Sequence, residues 1–219
     1  MSGTTVQAKP GCGPEVKLTF SPLQDVETFL HDDTHIGKPG VYMYGFRFLN
    51  QATGKRDLFI PYYVGKHRSS IRPYFDVYHV KGIMSGTHRL LKRELLLGPD
   101  CLKYFHHVTL VPEHCDYAYL HERDKKSKSD LLEPQKAALQ LDIKAYMDNL
   151  FVAYLTTRGL DLKSDETEFI DALESYVQVK LGGRGGTERL VSRHTGSHPE
   201  GFAPEIKPGP GTEHLFPLK

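Results

Sequence analysis

Residues 41 to 49 read VYMYGFRFL and residues 58 to 64 read LFIPYYV. Both stretches are rich in aromatic and β-branched residues, as strands are, and in the first stretch aromatic side chains alternate along one face. Those aromatic residues are Tyr42, Tyr44, Phe46 and Phe48. The intervening NQATGK has the composition of a turn. The sequence therefore predicts an antiparallel hairpin, in which Pro61 indicates an edge strand or a bulge because proline cannot donate a ladder hydrogen bond.

Signals for further helices and a third strand lie on both sides of this hairpin. Apolar residues at helical spacing, together with capping residues and glycine or proline stops, predict the helices. An aromatic stretch after the hairpin predicts the third strand. The expected order is helix, strand, strand, helix, helix, strand, helix, helix. The corresponding ranges are about 22–31, 41–49, 58–64, 71–80, 87–97, 103–111, 131–155 and 164–181.

This order predicts a protein of the α/β (α+β) class, with a small, mostly antiparallel three-stranded sheet flanked by helices. We expect the core to span residues 37–158, preceded by an N-terminal arm and short helix at 1–36 and followed by a C-terminal helix at 159–181. The last 38 residues hold eight Gly and five Pro without periodicity. That composition predicts a flexible tail at 182–219.

Composition excludes several classes of protein. Among the 219 residues, 39% are hydrophobic and 25% are charged, and no apolar stretch approaches the roughly 18 to 20 residues of a membrane span. The N-terminus has no apolar segment typical of a secretory signal, so we expect a cytoplasmic protein with no membrane partner. Cys12, Cys101 and Cys115 fit neither a disulfide framework nor a CxxC zinc site.

Charge is distributed unevenly along the chain although the net charge is only +1. Between Lys55 and Glu94 there are nine cations against three acids, an excess of six positive charges. A local excess of this size attracts polyanions such as a nucleic-acid backbone. The alternative is a solvated cationic face that acids elsewhere in the fold compensate.

Two short motifs frame the hairpin. The chain reads Gly40-Val41-Tyr42 at the first strand and Tyr63-Val64-Gly65 at the second. This resembles the GIY-YIG nuclease family, whose two strands carry G-[IV]-Y and Y-[IV]-G and precede a helix with a functional arginine. The resemblance covers roughly residues 38 to 155. It implies a GIY-YIG-like core with N- and C-terminal extensions.

The resemblance also implies a catalytic site for phosphodiester hydrolysis. Tyrosine, arginine and a carboxylate suit this reaction because they position water, hold phosphate oxygens and bind Mg²⁺ or Mn²⁺, respectively. The residues in the implied catalytic positions are Tyr42, Tyr63, Arg72 and His79. Seven residues separate Arg72 from His79, which places both on nearly the same face of a regular helix.

The metal ligand is the least settled part of this site. The family has a glutamate on the helix after the third strand, whereas the best-placed carboxylate here is Asp148, with Glu133 as the second candidate. Arg89 is the reserve candidate for the phosphate clamp, because Pro73 disfavours helical backbone at Arg72. The expected nucleic-acid-binding residues are Lys66, Arg68, Arg89, Lys92 and Arg93.

Three functions remain open on the sequence alone. The first is a metal-dependent endonuclease acting on DNA, with RNA not excluded. The second is a non-catalytic nucleic-acid-binding module that keeps the GIY-YIG fold, because the metal ligand departs from the family pattern. The third is a protein-interaction domain whose tyrosines belong to the core, as strand tyrosines commonly do.

Overall fold

The computed structural model of the protein describes residues 16–35, 38–50, 53–84, 144, 147–160, 165–181 and 201–216. Within them a four-stranded sheet has the strand order β2-β5-β3-β4, and all its pairings are antiparallel. Its strands are β2 (Gln24–Asp25), β3 (Gly40–Asn50), β4 (Lys55–His67) and β5 (Leu150–Thr156). A second sheet pairs β1 (Lys17–Thr19) with β6 (Glu205–Lys207) in parallel. The mixed α/β class with a mostly antiparallel sheet is confirmed.

The predicted hairpin is confirmed, because β3 and β4 pair along almost their whole length. The register shifts where Tyr44 pairs with Tyr63 and Gly45 with Pro61, so Tyr62 is the extra residue of a bulge. Pro61 thus lies beside a bulge on β4, the last strand in the order of the described sheet. Both sequence expectations for this proline hold. At an edge or beside a bulge the sheet needs no hydrogen bond from the proline nitrogen, which has no hydrogen to donate.

The prediction of a helix over 131–155 is wrong for residues 150–155. These residues form β5, which lies between β2 and β3 and is buried along most of its length. A strand covered on both faces has a continuous apolar sequence, LFVAYLT here, and such a run also satisfies helical spacing. The expected strand near 103–111 and the expected helix at 87–97 lie outside the described residues.

Helices cover both faces of the sheet. On one side lie α1 (Val26–His31) and a continuous helical segment, helix 71–84, which comprises α2 (Ile71–Tyr74), a π-helix (Phe75–Val80) and α3 (Lys81–Met84). On the other side lies α4 (Glu166–Lys180), which falls within the predicted range 164–181 and has Asp165 as its N-cap. Helix α1 starts later than predicted, because Gln24 and Asp25 pair with β5. None of the described helices is long and apolar enough to cross a membrane.

Side chains alternate between two cores along β3. Val41 and Met43 join one apolar cluster with α4, whereas Tyr42 and Tyr44 point to the opposite face and contact Phe75 of helix 71–84. Strand β3 is therefore buried on both sides. The tyrosine-bearing face is the one that carries the candidate site.

The terminal segments also belong to the apolar core. Strand β6 pairs with β1, and Phe20 stacks on Phe216 with ring centroids 5.1 Å apart. Phe202 is buried against Phe169 of α4. The predictions of a loose arm up to residue 18 and a flexible tail from 182 are thus wrong for β1 and for residues 201–216. A high content of Gly and Pro predicts a flexible segment, but phenylalanine side chains within it are buried in the core and hold it in place.

Gly40 is required for the contact between β3 and β5. A Cβ atom on Gly40 would lie 1.9 Å from the carbonyl oxygen of Leu155, a backbone atom that cannot move without breaking the sheet. We expect Gly40→Ala to destabilise the protein by about 1–3 kcal/mol and to lower the melting temperature by roughly 5 °C. Gly54→Asn at the open hairpin turn, where a Cβ meets nothing within 4 Å, is the control. Equal melting temperatures for Gly40→Ala and wild type would contradict this packing.

Candidate active site

Tyrosines from adjacent strands converge on the face that helix 71–84 covers. Tyr42 on β3 lies directly opposite Gly65 on β4, and Tyr44 lies opposite Tyr63. A Cβ atom on Gly65 would lie 2.6 Å from the Tyr42 hydroxyl oxygen and 2.6 Å from a Tyr63 ring carbon. The glycine of the second motif therefore provides the space into which both tyrosine rings lean.

The Tyr42 hydroxyl forms a buried hydrogen bond with His79. The Tyr42 oxygen and His79 Nε2 lie 2.6 Å apart, Tyr42 is fully buried and His79 is only 4% exposed. The Tyr63 ring packs against both partners, with its centroid 5.3 Å from that of His79 and 6.3 Å from that of Tyr42. Three of the four residues expected to be catalytic thus lie together.

Arg72 binds elsewhere. Its Nη1 donates to the Leu30 carbonyl oxygen and to Asp33 Oδ1, each at 2.9 Å, which fastens helix 71–84 to the end of α1. Seven residues return to one face of a helix only when each turn has 3.6 residues. The π-helix at Phe75–Val80 has wider turns, so it changes the angle between Arg72 and His79. The expectation that both side chains point to one pocket fails for this reason.

The described cations of the expected nucleic-acid surface form ion pairs with α4. Lys66 Nζ lies 2.8 Å from Glu174 and 3.2 Å from Asp171, and Arg68 binds Asp171 with two nitrogens. Burial raises the pKa of Asp171, but the hydrogen bonds and charges of Arg68 and Lys66 outweigh it and hold the pKa below its usual value. The hydrogen bond to Asp171 correspondingly raises the pKa of Arg68. These cations hold β4 against α4.

Asp148 is far from the tyrosine–histidine group along the sheet. Tyr42 pairs with Tyr154 of β5, whereas Asp148 precedes Leu150, the first residue of that strand. The four residue steps from Leu150 to Tyr154 span about 13 Å of strand. The Asp148 carboxylate is mostly exposed and lies 2.6 Å from Lys144 Nζ. Asp148 therefore does not fit as a ligand for a metal ion beside Tyr42.

One further carboxylate and three further cations belong to the sequence prediction. Glu133, Arg89, Lys92 and Arg93 lie outside the described residues. Among the described residues, no group of three or more histidine, cysteine, aspartate or glutamate side chains has a geometry suited to a metal ion. Mg²⁺ commonly binds proteins through only one or two carboxylates together with waters and phosphates, so such a group is not needed for a magnesium site.

A polar cluster that sequence reasoning missed lies on β5, next to Tyr42. The Tyr154 hydroxyl donates to Asp32 Oδ2 at 3.1 Å and lies 2.8 Å from the Thr34 hydroxyl, while Gln24 also donates to Asp32. Burial raises the pKa of Asp32, but the hydrogen bonds from Thr34, Gln24 and Tyr154 outweigh it and hold the pKa well below its usual range. The cluster unites residues about 120 positions apart, and no local pattern indicates such a contact.

His67 at the end of β4 organises the start of helix 71–84. Its Nδ1 accepts hydrogen bonds from the backbone N–H of Ser70 at 2.9 Å and of Ser69 at 3.3 Å. Two N–H donors require an unprotonated Nδ1, so the neutral ring carries its proton on Nε2. Burial lowers the pKa of His67, in agreement with this neutral form.

The chain has no significant match among protein-family models, curated proteins or solved structures.

The His67 cap predicts a loss of stability in mild acid. Its folded-state pKa lies below the usual histidine value of 6.5, so its contribution is complete above about pH 6.5 and is lost as pH falls toward the folded-state pKa. We expect the free energy of unfolding, measured in urea from pH 5 to 8, to fall below pH 6.5 more steeply in wild type than in His67→Gln. His31→Gln, at an exposed histidine, is the control. Identical slopes in wild type and His67→Gln would contradict the prediction.

Proposed function

We propose that the chain is a nuclease of the GIY-YIG type that hydrolyses phosphodiester bonds in DNA, with the Tyr42–His79 pair as its acid–base group. The observation that supports this proposal is the 2.6 Å hydrogen bond between the first-motif tyrosine and the helix histidine. A tyrosine from each motif and the glycine of the second motif meet at this bond. These are residues in which the sequence resembles the family.

The pair supplies a route for one proton. With a neutral imidazole whose Nε2 is unprotonated, the Tyr42 hydroxyl donates to that nitrogen. In the proposed reaction a water proton moves to the Tyr42 oxygen while the Tyr42 proton moves to His79. The water oxygen attacks phosphorus, the bond to the leaving oxygen breaks, and that oxygen takes a proton from solvent. His79 then releases its proton to solvent, which restores the neutral pair.

Access to Tyr42 requires Tyr63 to move. Tyr42 is fully buried, whereas Tyr63 is 9% exposed and is therefore the tyrosine of the two motifs that reaches the surface. The Tyr63 ring stacks on Tyr44, with centroids 5.1 Å apart. In this proposal the bound phosphate displaces the Tyr63 ring, and the attacking water follows it.

Phosphate binding is assigned to Arg72, which in this proposal leaves its contacts with Leu30 and Asp33 and turns toward the Tyr42–His79 pair. Arg72 pairs with Asp33, whose side chain is 81% exposed. Exposed ion pairs contribute only about 0–1 kcal/mol, so exchange of Asp33 for a phosphate oxygen costs little. Lys66 is less suited to such an exchange, because its partner Glu174 is buried and would lose its countercharge.

A divalent ion, Mg²⁺ or Mn²⁺, supplies charge stabilisation for the leaving oxygen in the family reaction. Because Asp148 precedes Leu150, at the end of β5 remote from Tyr154, a carboxylate for such an ion near Tyr42 has to come from another part of the chain. Glu133 is the other candidate from the sequence.

A second function, a nucleic-acid-binding module without catalysis, is favoured by two observations. The Tyr42 hydroxyl is satisfied by His79 inside a fully buried ring cluster, as in a purely structural core. The separation of Asp148 from this cluster favours the same function. Cleavage assays distinguish the two functions, because only the nuclease cleaves the nucleic acid that it binds.

Removal of the Tyr42 hydroxyl tests the acid–base role. Tyr42→Phe should lower plasmid nicking about 100-fold or more, the scale of losing an acid–base group. It should also cost about 1–3 kcal/mol of stability, because His79 Nε2 is left buried without its partner. Tyr44→Phe, on the same strand face two residues away, is the matched control and should cut at the wild-type rate. Nicking by Tyr42→Phe at the wild-type rate would refute the role of the pair.

A metal titration of two carboxylate variants tests the position of Asp148. We expect Asp148→Asn to nick plasmid within about threefold of wild type and to keep the wild-type dependence on Mg²⁺, because its carboxylate is far from the pair. Glu133→Gln is examined in parallel. A raised Mg²⁺ requirement in Asp148→Asn would show that Asp148 binds the ion. If wild type fails to nick plasmid with every divalent ion tested, the binding module is the better function.

A further inference from the structure

Three aromatic rings pack successively against one another beside the buried pair, and the last of them is exposed. His67 at the end of β4 lies over Tyr74, with centroids 4.7 Å apart and planes inclined by 31°. Tyr74 stacks on Tyr78, with centroids 4.3 Å apart and planes inclined by 29°. We call His67, Tyr74 and Tyr78 the aromatic ladder.

The ladder is fixed at its inner end and open at its outer end. His67 is held by the Ser69 and Ser70 amides, and Tyr74 contacts the edge of His79 with centroids 6.1 Å apart. Tyr78 is 61% exposed although Tyr74 covers one of its faces. The other face of the Tyr78 ring is therefore turned to solvent, where it is available for a further flat ring.

The ladder and the acid–base pair share helix 71–84. Tyr78 and His79 are consecutive residues of its π-helix, so one faces outward while the other reaches Tyr42. Five residues separate Tyr74 from His79, which would place them about 140° apart around a regular α-helix. The π-helix, with its i→i+5 hydrogen bonds, instead brings them into contact.

We propose that the aromatic ladder binds an unpaired nucleobase, which stacks on the outer face of Tyr78, and that the substrate is therefore nucleic acid with a single-stranded segment beside the cut. The inference rests on the proposed nuclease function, since the ladder adjoins the Tyr42–His79 pair. Stacked bases and aromatic side chains form such platforms because every base has a flat π-face. A paired base within a duplex offers no free face to Tyr78.

Charge around the ladder agrees with this ligand. Lys81 is three residues beyond Tyr78, its side chain is 66% exposed, and its pair with Asp76 is a surface ion pair at 3.3 Å. Such a pair exchanges readily for a backbone phosphate. The exposed side chain of Val77 next to Tyr78 adds apolar surface but no stacking face. A second copy of this chain on the patch is the competing occupant, and the experiment below detects it.

The experiment measures binding of full-length protein to a single-stranded oligonucleotide that carries 2-aminopurine, and to the matching duplex. Stacking quenches 2-aminopurine, and the chain contains no tryptophan to obscure its emission. Tyr78→Leu should weaken single-strand binding about 5- to 100-fold, the range for losing one base–aromatic stack, and should abolish the quenching. Tyr78→Phe should restore both, and Val77→Ala is the control for lost apolar surface.

Two further measurements separate stacking from other effects. Duplex affinity of Tyr78→Leu should change less than twofold, and the dependence of single-strand affinity on salt should keep its slope because no phosphate contact is lost. Sedimentation should give the same mass for wild type and Tyr78→Leu.

The outcomes distinguish this inference from the proposed function. Wild type that nicks plasmid, with Tyr78→Leu unchanged in single-strand affinity and quenching, overturns the ladder alone. Equal weakening for single strand and duplex also overturns it. A smaller mass for Tyr78→Leu shows that a second copy covers the ladder. Wild type that neither binds nor nicks any nucleic acid overturns both the ladder and the nuclease.

Discussion

The hydrogen bond between the Tyr42 hydroxyl and His79 joins the sheet to helix 71–84. Two local features of the chain make this bond possible. Gly65 leaves room for the Tyr42 ring, and the π-helix brings His79 over the sheet. A buried phenol or imidazole without a hydrogen-bond partner costs about 1–3 kcal/mol. Each of the two groups avoids this cost only because the other is buried beside it as its partner. The position of the helix and the strand register are therefore coupled.

Strand β3 is buried on both faces, and different kinds of contact cover the two. Its tyrosine face is filled by aromatic rings around one hydrogen bond, whereas its Val41 and Met43 face is a purely apolar cluster with α4. The apolar face is completed by the two ends of the chain, through Phe20, Phe202 and Phe216. Residues from the first twenty and the last twenty positions thus stabilise a face whose opposite side carries the candidate site.

Ion pairs change the meaning of the charge pattern. The cationic excess between Lys55 and Glu94 is real in the sequence, yet Lys66, Arg68 and Arg72 all contact carboxylates from other elements. Where the partner is exposed, as for Arg72, the pair is weak and can be exchanged. Where the partner is buried, as Glu174 is, the cation is fixed, because its loss would leave a charge without compensation. The positive charge that is available to a polyanion is consequently smaller than the excess of cations counted in the sequence.

The sequence by itself determined the hairpin, the bulge or edge at Pro61, α4, and the pairing of the two tyrosine motifs. Each of these depends on alternation, capping or turn residues within a few positions. Tertiary structure alone decided that residues 150–156 form a central strand, that residues 201–216 are packed, and that Arg72 binds Asp33. The physical reason is that these outcomes depend on partners far away in sequence. A fully buried run satisfies helix and strand patterns equally, and a π-helix changes which side chains share a face.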